Sequence, residues 1–385
     1  MKIGTFFLLL FLLSASIVPA QEPDTLSVYS EAFGEQRTVY IHKPGFYKYK
    51  SGSVKLPVIF LLDGQHEWFI NPILSDIKYL QYTHEIPNVL VVVIPHKNRN
   101  NECGFSGLQP GMPLDIFITE ELTRALTKYN PGEIRIIAGH SFSASFALYA
   151  YLMHPGFYTA VIAHTPLHEL ESLVEALGKT GQADKDRICI STGGIAGDKD
   201  YHHRKKYDQL KSSYPDFFND IITFEADYSA HNAVPIVATP VFLTRIFEKF
   251  RGRYAGIAKT NDEYKLIDVP EPAEAEREKV LEASLIGDYF YPPEIAEING
   301  IASRYVYNGY NSQALEIYRL GIKYYPDYYE FYLSLYELTY GQDSEQAREY
   351  LNRAEYLLRT VEAGWDGTNA LLDEIRAERI RHGWE

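Results

Sequence analysis

Residues 134–146 read IRIIAGHSFSASF. An apolar run, interrupted only by Arg135, stops at Gly139. Ser141 stands two residues later, and "SASFALYAYLMHP" continues as an apolar helical segment. Isoleucines, then glycine, then helix formers spell strand, tight turn, helix. A serine on such a turn presents its hydroxyl above the end of a sheet. The usual pattern is G-x-S-x-G, because the positions two before and two after the serine must be small. Gly139 satisfies the first position. Ser143 occupies the second, a small residue with a more restricted backbone than glycine, and Ala144 follows it. A plainer reading makes Ser141 a helix N-cap. It keeps the strand and the helix and changes only the role of the hydroxyl.

Outward from this turn the pattern repeats. "LPVIFLLDG" (56–64), "VLVVVIP" (89–95), "AVIAHTP" (160–166) and "RICISTGG" (187–194) are continuous runs rich in Val and Ile. Strands covered on both faces read this way. Between them lie helical segments. "LDIFITEELTRALTKYN" follows Pro113, a favoured first helical residue, and "VPIVATPVFLTRIFEKF" follows His231. Strand–helix alternation predicts an α/β fold over residues 25–252, a mostly parallel sheet flanked by helices. Function in such a fold belongs at the carboxyl ends of the strands.

A chain of 385 residues is long for one unit. Residues 253–285, charged and containing prolines, read as a linker whose second half has helical spacing. The region 286–385 reads as helical. There "INGIASRYVYNGYNSQALEIYRLGIKYYPD" has the tetratricopeptide spacing at Ile298, Ile301, Ala302, Tyr305, Ala314, Tyr318, Gly321 and Pro326. Ala347, Leu351 and Ala354 recur 33 residues after Ala314, Tyr318 and Gly321. Two units are fewer than the three or so that an independent array needs, so this tail is expected to lean on the α/β part. It could hold a protein partner or serve only as a bundle.

Residues 1–20 start with Lys2, carry "FFLLLFLL" and end in "SIVPA". This is the pattern of a cleaved signal peptide, and it predicts a periplasmic or secreted protein. No later stretch is long and apolar enough for a span. The net charge of −14 argues against a nucleic-acid surface. The two cysteines, Cys103 and Cys189, have no spacing that demands a disulfide, and Cys189 reads as a core residue.

A serine hydroxyl needs a base to take its proton, an acid to orient that base, and N–H donors for the oxyanion. Ser141 is the candidate nucleophile. His231, in "YSAHNAVP" after "IITFEAD", is the candidate base. The acid belongs to "GGIAGDKDYHHRKK", where Asp198 is favoured over Asp200, while Asp227 belongs to a strand end. The N–H groups of Gln65 and Phe142 are the candidate oxyanion donors, and His66 and Trp68 can line the pocket. His202 and His203 read as rim residues. His164 and His168 are separated by Pro166 and lack a nearby third ligand, so no metal is expected. No cofactor fingerprint is present.

These motifs resemble the esterase D/enterochelin-esterase-like family of α/β-hydrolases. "LPVIFLLDG" is similar to that family's first-strand motif, "GHSFSA" to its G-H-S-x-G-G elbow with the last two glycines replaced, "HNAVP" to its histidine segment, and "VVVIPHKNRNNECGF" to a strand and loop. The resemblance covers residues 26–252. It implies an α/β-hydrolase fold and cofactor-free ester hydrolysis through an acyl-enzyme. The substrates it implies are small acyl, siderophore or carbohydrate esters, glycan esters included. The alternative is a non-catalytic binding or scaffold protein, built on a degenerate hydrolase domain with a helical tail that binds a partner.

Overall fold

The Val- and Ile-rich runs form the centre of one eight-stranded sheet, ordered β1-β2-β4-β3-β5-β6-β7-β8 in the computed structural model, which describes residues 22–181, 185–194 and 201–385. Strands β3 (Leu56–Leu61), β4 (Leu90–Val93), β5 (Pro131–His140), β6 (Ala160–His164), β7 (Ile188–Gly193) and β8 (Ile222–Ala226) are all parallel. Every residue of β3, β4, β6 and β7 is buried, as continuous apolar runs require. Beyond β4 lies an antiparallel hairpin of β1 (Asp24–Ser30) and β2 (Glu35–His42). Its strands alternate buried and more exposed residues, because one face looks at solvent.

Helices cover the sheet. Helix α1 (Glu67–Tyr82) follows β3, and α2 (Arg99–Cys103) follows β4. The segment that starts at α3 (Pro113–Ile116) was expected to be one regular helix. It instead widens to π geometry over Phe117–Leu122 and tightens to a 3-10 turn at Leu126–Tyr129. Helix α4 (Phe142–Met153) follows β5 directly, and α5 (Leu170–Leu177) follows β6. Helices α6 (Tyr201–Ser213) and α7 (Pro215–Asp220) precede β8, and α8 (Val234–Ile246) follows it and packs against α1. Cys103 and Cys189 are buried free thiols.

Within residues 253–285 the charged stretch becomes helix α9 (Ala273–Ala283). A short hairpin, β9 (Leu285–Ile286) and β10 (Tyr289–Phe290), leads to α10 (Ile295–Tyr307) and α11 (Asn311–Tyr324). Helices α12 (Tyr329–Thr339), α13 (Ser344–Thr360) and α14 (Thr368–His382) complete the chain. Ile298, Ile301, Ala302, Tyr305 and Ala314 are fully buried between α10 and α11. Gly321 lets the Phe331 ring approach, since a Cβ there would sit 2.7 Å from it.

The first tail helices share a continuous core with the sheet. Buried polar anchors reinforce the junction. Glu294 caps α10 and also accepts from the Asn88 N–H at 2.7 Å and the Tyr291 hydroxyl at 2.7 Å. Arg253 is buried and pairs with Glu297 at 2.6 Å. Farther along, Glu362 accepts from Lys48 at 3.0 Å and from the Tyr49 hydroxyl.

Candidate active site

Parallel strands end together, so the loops after β3, β5, β6, β7 and β8 leave one edge of the sheet. Leu61 pairs with Ala138, and His140 with His164, which sets the loops after β3, β5 and β6 side by side.

Ser141 lies between β5 and α4 with φ 59 and ψ −114. A serine held at positive φ is strained, and such strain persists only where the surroundings over-determine it. Two contacts hold it here. The Ser141 N–H donates to the His164 carbonyl at 2.7 Å. Gly139 permits the turn to close, because a Cβ there would stand 2.6 Å from the Ser143 carbonyl oxygen.

Ser143, the departure from the usual elbow, is fully buried and bonded. Its Oγ accepts from the His140 N–H at 3.0 Å. The hydroxyl has one hydrogen and lies within reach of both the Asp63 carboxylate and the His140 carbonyl. The carboxylate is the stronger acceptor and takes it. Asp63, at the turn after β3, is itself buried and accepts from Arg99 Nε at 2.6 Å. Arg99 also donates to the His140 carbonyl. Both backbone groups of the residue before Ser141 are therefore satisfied by side chains.

A second layer extends outward from Asp63. His96 is buried, with Nε2 3.9 Å from Asp63 and Nδ1 3.1 Å from Glu102. Burial alone would raise the Glu102 pKa, but hydrogen bonds from His96 and Arg37 outweigh it and hold Glu102 down at about 2. Arg37, buried on β2, closes the network by pairing with Glu102. The sequence reading assigned none of these side chains a role. Arg99 and Glu102 lie in the quoted "VVVIPHKNRNNECGF", but nothing local marks them as partners of the elbow.

Gln65 and Phe142 open α1 and α4 from neighbouring loops. Among the described residues the backbone N–H of neither donates to any acceptor. Gly64 allows this approach, since a Cβ there would lie 2.7 Å from the Pro95 nitrogen. The Gln65 side chain accepts from the His96 N–H at 2.9 Å. Trp68 stands half exposed beside His66 and His140, with ring centroids 5.6 and 5.8 Å away.

His231 lies in the loop between β8 and α8. His140 reaches this loop, with Nε2 3.1 Å from the His231 carbonyl and the two rings 4.6 Å apart. A carbonyl only accepts, so His140 carries its proton on Nε2. Burial, and then the nearby His231, push the His140 pKa down to about 3. The residue before Ser141 is thereby tied to the candidate base's own backbone. On the other side His203, from α6, places its Nδ1 3.1 Å from His231 Nδ1. His203 was expected at the rim, and it touches His231 instead.

Asp198 and Asp200 lie outside the described residues. Asp227 is occupied by Arg204, which also binds Glu225 and Asp208. His164 bonds Ser191 Oγ at 2.8 Å and Thr239 Oγ1 at 3.0 Å, while His168 meets the Phe105 carbonyl at 2.6 Å. These two histidines face different partners. Among the described residues no His, Cys, Asp and Glu cluster could hold a metal ion.

A mostly parallel sheet with a serine on a strained strand-to-helix turn is the architecture of the α/β-hydrolase fold. Residues 30–213 match the family model described as "Putative esterase". No curated protein sequence matches the chain. Among solved structures, an uncharacterised protein from Capnocytophaga ochracea is similar at 13% identity and TM-score 0.53, over 92% of this chain and all of the other. An IroE-like serine hydrolase from Shewanella oneidensis is similar at 16% identity and TM-score 0.52, over 87% of this chain and 98% of the other. At these identities the likeness is one of fold.

Proposed function

We propose that this protein is an exported serine carboxylic-ester hydrolase acting through an acyl-enzyme. Ser141 is the nucleophile, His231 the base, and the N–H groups of Gln65 and Phe142 the oxyanion donors. Asp198 is the proposed carboxylate of the triad. The observation that carries the reading is the Ser141 backbone, held at φ 59 at the carboxyl edge of the sheet, beside the His231 loop. Strain of this kind is characteristic of functional turns.

In the first step Ser141 Oγ attacks the ester carbonyl carbon and its proton passes to His231 Nε2. The carbonyl oxygen becomes an oxyanion, which the two N–H groups stabilise. The tetrahedral species collapses, the C–O bond to the alcohol breaks, and the alcohol leaves with the proton from His231. Water then repeats the sequence. Its proton goes to His231, its oxygen attacks the acyl carbon, and Ser141 departs with that proton while the acid is released. The proposed substrates are small acyl, siderophore or carbohydrate esters. Export rests on residues 1–20, which lie outside the described residues. Among the described residues no helix is long and apolar enough to cross a membrane.

The test is labelling with a fluorophosphonate probe, followed by mass spectrometry of the modified peptide. Label on the peptide holding Ser141 supports the proposal. A chain that stays unlabelled beside a labelled control esterase supports the scaffold alternative. Ser141→Ala and His231→Ala should leave little turnover of a short p-nitrophenyl ester, and wild-type rates in either would overturn the assignment.

A further inference from the structure

We infer that the outer face of α8 binds an aliphatic chain on the alcohol side of the ester. This rests on the hydrolase reading above, and it selects among its substrates a small acyl ester of a linear, medium-chain alcohol.

The sequence of α8 sets the helix apart. From Asn232 to Thr244 there is no charged residue, and the first charge is Arg245. A helix that is apolar all round is ordinarily buried on every side. Here one face is buried, through Val234, Pro235, Ala238, Thr239, Phe242 and Leu243. The opposite face stays open, with Ile236, Val237 and Val241 exposed by 45%, 41% and 42%. A single exposed aliphatic residue needs no explanation. Three on two consecutive turns of one face, with the Pro240 ring among them, form a contiguous apolar surface, and such a surface marks a binding site. The neighbouring α1 differs, because its exposed positions include Asn71, Ser75 and Lys78.

The place of this face decides its occupant. Helix α8 begins three residues after His231. In the proposed mechanism the alcohol leaves with the proton from His231, so the alcohol part of the ester lies against that ring when the C–O bond breaks. The carbonyl oxygen lies instead toward the Gln65 and Phe142 N–H groups. A chain on the alcohol therefore leaves the cleft past the His231 loop and meets the first turns of α8. Trp68, half exposed on the first turn of α1, adds an apolar ring at the same edge, since it meets His140, whose ring lies against His231. Ile236, Val237, Pro240 and Val241 offer no side-chain donor or acceptor, so a sugar or a phenol gains no partner there, while an alkyl chain needs none. Two helical turns span about 11 Å, which suits a chain of several carbons. A chain lying on an open face buries about half of its surface, worth about twofold in kcat/KM per methylene against about fourfold for full burial.

The experiment measures kcat/KM on ethyl, butyl, hexyl and octyl acetate, by titrating the acetic acid released, for wild type and the double variant Val237→Asn/Val241→Asn. Both positions are exposed, and valine and asparagine have similar helix propensities, so the double variant should keep the wild-type urea midpoint. From ethyl to octyl the wild-type kcat/KM should rise roughly 60-fold. The double variant should keep the ethyl acetate rate and lose about fivefold or more of the octyl-to-ethyl ratio. A flat wild-type series, or a ratio unmoved in the double variant, overturns the inference. So does a preference for p-nitrophenyl hexanoate over p-nitrophenyl acetate that the double variant abolishes, because it places the chain on the acyl side. Sedimentation velocity and co-sedimentation with phosphatidylcholine vesicles test the other occupants. A wild-type dimer or vesicle-bound protein that the double variant releases, with the octyl-to-ethyl ratio unmoved, assigns the face to a second copy or to a membrane. If the double variant fails to fold, Ile236→Asn decides in the same series. Fluorophosphonate labelling separates the two claims. Absence of label at Ser141 overturns the nucleophile reading and this inference with it, while label at Ser141 with a flat ester series overturns this inference alone.

Discussion

Replacing Ser143 by glycine would restore the usual elbow motif, and we expect it to weaken the protein. The Ser143 hydroxyl donates to the buried Asp63 carboxylate and its oxygen accepts from the buried His140 N–H. Removing it leaves a charged acceptor one donor short and an N–H without its partner. A hydrogen bond to a charged group contributes about 1.5–3 kcal/mol and a neutral one about 1 kcal/mol. Ser143→Ala should therefore cost about 2.5–4 kcal/mol. Ser143→Gly should cost up to about 1 kcal/mol more, because glycine also loosens the first turn of α4. Urea denaturation followed by tryptophan fluorescence reads the change as a shift in midpoint at constant slope. A double-mutant cycle with Asp63→Asn should give a coupling of about 1 kcal/mol or more, since the two side chains touch. Turnover on p-nitrophenyl acetate should fall in both Ser143 variants, because the same bonds fix the peptide before Ser141. A glycine variant as stable as wild type, or faster, would refute the view that Ser143 and Asp63 brace the turn.

Gly139→Ala places a Cβ 2.6 Å from the Ser143 carbonyl oxygen; the turn should be forced open, with loss of fluorophosphonate labelling and a lowered urea midpoint. His164 is fully buried and burial pushes its pKa from 6.5 down to about 3. Its folded form stays neutral while the unfolded chain takes up a proton below pH 6.5, so stability falls with pH from 6.5 towards 3. That amounts to about 2 kcal/mol between pH 7 and pH 5 by linkage, and His164→Asn should lack this component of the pH dependence in paired urea titrations. Glu294→Ala strands the Asn88 N–H and the Tyr291 hydroxyl and removes the cap of α10. It should cost about 2–4 kcal/mol, and limited proteolysis should then cut faster between residues 253 and 272.

The sheet was legible because β3, β4, β6 and β7 are buried on both faces, and uninterrupted Val and Ile runs have no other comfortable place. The β1–β2 hairpin was not read. Its strands are half polar, and the inward position Arg37 breaks the apolar alternation. Arg37 is tolerable there only because Glu102, 65 residues away, neutralises it. The elbow shows the same limit at closer range. A tight turn could be read from Gly139 and Ser141, because the requirement is local. The fitness of Ser143 could not, because its partner Asp63 is 80 residues away on another strand end. His203 was visible as one of several histidines before β8, and its contact with His231 depends on how α6 crosses the sheet edge.

These long-range partners share a physical reason for existing. A serine at positive φ stores strain of roughly 1–3 kcal/mol, and an elbow of small residues alone offers little side-chain packing to hold it. Here the holding is polar. Arg99 and Ser143 satisfy the His140 carbonyl and N–H, Asp63 joins Arg99 to Ser143, and His140 Nε2 fastens the His231 loop. His140 can serve this purpose only as a neutral donor, which its burial enforces. If it were charged it would stand 4.6 Å, ring to ring, from the proposed base and oppose the imidazolium that the proposed mechanism requires. The strain at Ser141, the placement of the His231 loop and the charge of the proposed base thus meet in the one residue between Gly139 and Ser141. A substitution there, such as His140→Gln, keeps an amide donor but not the ring contact. It should separate placement from electrostatics, with the His231 loop still ordered by amide exchange while the pH–rate profile shifts.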